Sequence, residues 1–215
     1  MMAVGGANVE ETGLLRRCAT TDSLTSTVRA SHEMLRERIN ETAQGAFPRR
    51  SRDQRARADA VLIATCRHVA AVSTVLVVEV ARQGNHQQAQ RLSHECHSLQ
   101  LSTLRAKGRL YGTAQLAALP WPTVWNQVVD HFEALMSLER DAVSELAARS
   151  SPEALELLAE RLCRVDQHAP TRPHPFIPQH GFGGWLASAV FSRVDRFWDA
   201  LEGRWAPPPA PFVRN

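Results

Sequence analysis

Lysine and tyrosine are almost missing from this chain of 215 residues, which holds only Lys107 and Tyr111 of those two types. Arginine carries nearly all the positive charge, and a net charge of +3 is too small to mark a nucleic-acid binder by itself. Closely spaced cysteines are missing too. Cys18, Cys66, Cys96 and Cys163 are far apart and form no C-x-x-C pair, which speaks against a disulfide framework or a cysteine-rich zinc module. Alternating apolar and polar runs are scarce, which excludes a sandwich or a barrel. There is no G-x-S-x-G, no phosphate-binding glycine loop and no H-E-x-x-H, so the commonest hydrolase, nucleotide-binding and metalloprotease signatures are absent. No residue is placed so as to be named catalytic.

What remains is rich in Ala, Leu, Glu and Arg, with 44% hydrophobic and 22% charged residues. That is the composition of a helical globular protein. "MMAVGGANVEETGLLRR" lacks the continuous apolar segment of a secretory signal. The greasiest stretch, Val61 to Ala81, has the length of a membrane span but contains Arg67 and His68, so it is expected to be a buried core helix. A reducing cytoplasm is the expected location, with no membrane attachment.

The periodicity divides the chain into four long helices and a tail. Residues 1–20 are expected to be disordered. A first helix runs from Thr21 or Asp22 to about Ala46, with Val28, His32, Leu35, Ile39, Thr42 and Ala46 on one face. A second runs from about Ser51 to Arg82 and stops at Gly84 and Asn85. A third covers His86 to about Leu110. Its stripe is Leu92, Cys96, Leu99, Thr103, Ala106 and Leu110, and a second face holds His94, His97, Leu101 and Leu104. "LPWP" then breaks the chain. A fourth helix runs from Trp121 to about Ala148, with Trp125, Val129, Phe132, Met136, Glu139, Val143 and Leu146 on its stripe. A short fifth helix starts at the Ser151 cap and Pro152.

The expected fold is therefore all-α: an up-down-up-down four-helix bundle over residues 21–148, followed by a C-terminal helical arm over 149–205 and an extended tail over 206–215. The arm has a proline-rich linker and a last amphipathic helix. Its Trp185, Phe191, Phe197 and Trp198 suggest packing on the bundle, on a second copy or on another protein. The basic run "PRRSRDQRARAD", residues 48–59, is read as a solvated helix start, with nucleic-acid binding a distant alternative.

Polar residues on inward faces are the candidate chemistry. His32, His68 and Glu139 fall on apolar stripes, where an imidazole or carboxylate is costly unless paired or metal-bound. His94 and His97 share a face three residues apart. Bundles hold metal with side chains from facing helices.

"SHEMLRERI", "CRHVAAVSTVLVVEVAR" and "LMSLERDAVSEL" together resemble the hemerythrin-like (HHE cation-binding) domains, over roughly residues 21–148. The C-terminal segment from Ala169 resembles an extension carried by some members of that family. The resemblance implies a four-helix bundle with a di-iron centre for oxygen binding, storage or sensing. On the family pattern, His32 and His68 match histidine ligands of the first two helices, His94 or His97 a ligand of the third, and Glu139 the carboxylate of the fourth. The pattern's second-helix carboxylate falls on Val72, and its fourth-helix histidine falls on Leu135. Choosing His131 instead puts Leu135 at the carboxylate position. The candidate metal ligands are thus His32, His68, His94, His97 and Glu139, enough for one ion and too few for two irons. Two readings follow: a hemerythrin-like bundle holding one metal ion, iron first, for oxygen or redox-ligand handling; or a metal-free bundle that serves as a partner-binding or dimerisation module.

Overall fold

The computed structural model describes residues 22–43, 52–111, 119–169 and 212–213. Among them every regular element is helical. They are α1 (Ser23–Ala43), α2 (Arg52–Ala71), a π-helical turn (Val72–Leu76), α3 (Val77–Arg82), α4 (His86–Tyr111), α5 (Trp121–Arg149) and α6 (Pro152–His168). The stretch from α2 through α3 is one unbroken rod, because Ala71, Leu76 and Val77 all keep right-handed helical backbone. The expected N-terminal disorder, the last amphipathic helix and nearly all of the tail lie outside the described residues, as do Cys18 and the aromatic residues of the arm.

Local chemistry explains the boundaries. The Asp22 carboxylate accepts from the Thr25 amide at 2.8 Å and the Thr25 hydroxyl at 2.6 Å, starting α1. The rod ends at Gly84, whose φ is +87°. There the Gly84 amide donates to Ala81 and the Asn85 amide to Val80, the pair of bonds that closes a helix on a left-handed glycine. Asn85 then caps α4 by accepting from the Gln88 amide. Ser151 accepts from the Ala154 amide at 3.3 Å, with Pro152 at the first position of α6.

The inward stripes hold. Val28, His32, Leu35, Ile39 and Thr42 are buried on α1, and the whole expected stripe of α4 is buried. The central rod packs against α1, α4 and α6, and α1 also meets α5 and α6. Residues Asp53–Arg82 are long and apolar enough to cross a membrane, but most of this segment is buried against the other helices. The described basic residues Arg55 and Arg57 are exposed at the start of the rod.

The fifth helix is not short. α6 has 17 residues, buries Leu155, Ala159, Leu162 and Cys163, and packs on α1, α2 and the π turn. The core therefore continues past residue 148 into the first part of the segment read as a C-terminal arm. The strong apolar face of α6 has no water-facing alternative, so it closes over the side of the first two rods.

Candidate metal centre

Three helices each send one polar side chain to a single point. His32 is on α1, His68 on α2 and Glu139 on α5, with 4%, 4% and 0% of their surfaces exposed. The Nε2 atom of His32 lies 2.8 Å from Oε2 of Glu139, and Nε2 of His68 lies 3.1 Å from Oε1. The two rings meet edge to face, with centroids 5.6 Å apart. One donor atom from each residue can be chosen so that all lie within 4.8 Å of one another.

Burial alone would raise the Glu139 pKa. The charge of His68 and the hydrogen bonds from both imidazoles outweigh it and hold the carboxyl down at about 2. Burial likewise lowers the His68 pKa, and the adjoining Glu139 carboxylate more than reverses that, so the net shift is upward. An ionised carboxylate can only accept, so without a metal both Nε2 atoms carry the proton they donate to Glu139.

A second ionic pair sits beside this group. Arg67 precedes His68 and is 6% exposed. Its Nε donates to the Asp166 main-chain oxygen at 2.8 Å, and its Nη2 meets the Asp166 carboxylate at 3.3 Å. Burial raises the Asp166 pKa against the opposing pull of Arg67 and His68. No motif in the sequence marks Asp166. The signal was indirect: a buried guanidinium in an apolar helix requires a carboxylate partner from elsewhere.

The other expected ligands are not brought to the point. His94 and His97 are exposed, because the stripe through Leu92, Cys96 and Leu99 claims the inner face of α4. His131 is half-buried and bonds Glu95 through Nδ1 at 2.6 Å. Val72 and Leu135 have no exposed surface and bring only hydrocarbon where a second ion needs ligands. Among the described residues, His32, His68 and Glu139 form the one group of three with metal-holding geometry. Two imidazoles and a carboxylate suit one borderline divalent ion such as zinc or iron(II), and they do not suit a di-iron centre. Comparison with protein-family models, with curated proteins and with solved structures finds no match for this chain.

Proposed function

We propose that the protein is a hemerythrin-like, up-down-up-down bundle reduced to a single metal site on His32, His68 and Glu139, with iron the first candidate. The observation that carries this reading is the convergence of two imidazole Nε2 atoms and both oxygens of one carboxylate from three different helices. Each residue has a distinct part. His32 and His68 supply neutral nitrogen ligands and give up their Nε2 protons when they bind. Glu139 supplies the compensating negative charge. A bound ion with three protein ligands offers a polarising centre with open positions, the donor set of non-haem iron(II) and of reactive zinc sites. Burial of all three side chains restricts any exogenous ligand to a very small molecule, which agrees with oxygen or redox-ligand handling. The buried free thiols Cys66, Cys96 and Cys163 are in keeping with a cytoplasmic protein.

The second reading, a metal-free bundle that binds a partner or dimerises, draws on the same two bonds. Both Glu139 oxygens already receive an imidazole, so the triad satisfies itself as a buried cross-link between α1, α2 and α5. Elemental analysis of the purified protein, with melting curves before and after chelation, separates the two. About one metal ion per chain and a lower Tm after chelation support the metal site. A folded, metal-free protein with an unchanged Tm after metal addition overturns it.

A further inference from the structure

The π turn changes what Ser73 can reach. A buried helical serine ordinarily bonds back to the carbonyl four residues earlier, as Ser31 does to Thr27 at 3.1 Å. Ser73 is 2% exposed, and its hydroxyl has no hydrogen-bond partner. It lies against the Cys96 thiol of α4 without forming a hydrogen bond of good geometry. One turn along the same face of α4 is Gln100, 6% exposed, whose Oε1 atom also has no partner. The π turn packs on α4, which brings these two elements together.

Two buried oxygens without hydrogen-bond partners, one of them beside a thiol, are costly as they stand. They are also the donor and acceptor set that an internal water requires. The hydroxyl can donate or accept, the amide oxygen accepts, and the thiol donates weakly. We propose that one water molecule is bound inside the bundle at the π turn, held by Ser73 Oγ and Gln100 Oε1 beside Cys96 Sγ. Burial pushes the Cys96 thiol up to about 12, with Ser73 pulling the other way and Glu139 adding to the rise. The thiol therefore stays protonated and faces the water as a donor. The site stands whether or not the triad holds a metal.

A crystal structure fine enough to order internal waters tests the proposal, together with the melting of Ser73→Ala and Gln100→Met. The expected result is one water within about 3 Å of both Ser73 Oγ and Gln100 Oε1. Each variant then loses a bond to that water, and its Tm falls by about 2–4 °C. The proposal is overturned if the Ser73 hydroxyl turns to a main-chain carbonyl with no water present. It is equally overturned if Ser73→Ala leaves Tm unchanged or raises it, because deleting an unpartnered hydroxyl relieves a cost.

Discussion

Replacing Glu139 by Gln in chelated protein isolates the electrostatic part of the triad. The substitution keeps the shape and one acceptor oxygen and removes the charge. The carboxyl stands at about 2 when folded, against an ordinary value of 4.5. At roughly 1.4 kcal/mol per pKa unit, the ionised form contributes about 3 kcal/mol at neutral pH. Breaking a buried ion pair from one side costs about 3–5 kcal/mol in general, so the two routes agree. A group with a depressed folded pKa gives its full contribution above the unfolded value and loses it as pH falls toward the folded one. The stability gap between wild type and Glu139→Gln is therefore expected to be about 3 kcal/mol at pH 6, falling to about 2 kcal/mol by pH 3.5 and closing near pH 2. His68 has a raised folded pKa, so its share is full below 6.5 and is lost as pH rises through its folded value. That is the same ion pair counted from the other partner, and the two shares do not add. Urea unfolding at a series of pH values measures the gap. A gap under about 1 kcal/mol at pH 6, or one that does not change between pH 6 and 3.5, would refute the account of a buried, ionised Glu139.

Four other outcomes follow from the packing. Arg67→Met leaves Asp166 without its partner and is expected to cost somewhat less than the about 3–5 kcal/mol of a fully buried pair, because the Asp166 side chain is 17% exposed; Asp166→Asn, which keeps the main-chain acceptor, should cost less in the same urea titration. Leu135→Ala opens a cavity where no surface is exposed and should lose about 2–5 kcal/mol, with no effect on the metal count per folded chain. His94→Ala and His97→Ala alter exposed side chains, so each should stay within about 0.5 kcal/mol of wild type and hold the same metal by elemental analysis. Gly84→Ala forces a Cβ into φ +87°, and since nothing lies near that Cβ, the expected loss of about 1 kcal/mol in a melting curve is backbone strain alone.

Periodicity made the inward faces legible because a helix repeats every 3.6 residues wherever it packs. That is why His32, Glu139 and the α4 stripe were placed correctly from spacing. Two histidines three residues apart, His94 and His97, share a face of α4 and so resemble a ligand pair. The same helix already had a complete apolar stripe a third of a turn away, and one helix cannot bury both faces without more neighbours. The π turn left no trace in the sequence, since Val72–Leu76 reads as ordinary apolar helix. The end of α6 at His168 is not marked in the sequence, since it lies in a polar run, "RVDQH", with no glycine.

Pairing between helices is the information that periodicity omits. A stripe says that Arg67 and His68 point inward, but it does not say what they meet. Physical cost narrows the answer. Two cationic-capable groups inside an apolar rod need two buried anions, and the chain must supply them from other helices. Glu139 from α5 answers His68, and Asp166 from α6 answers Arg67. Adjacent residues on one helix point about 100° apart, so the two anions have to come from different sides of the rod. This is the reason α5 and α6 both belong to the core. It also means that the rotation of α2 is fixed by two bonds, made by two adjacent side chains to two different helices.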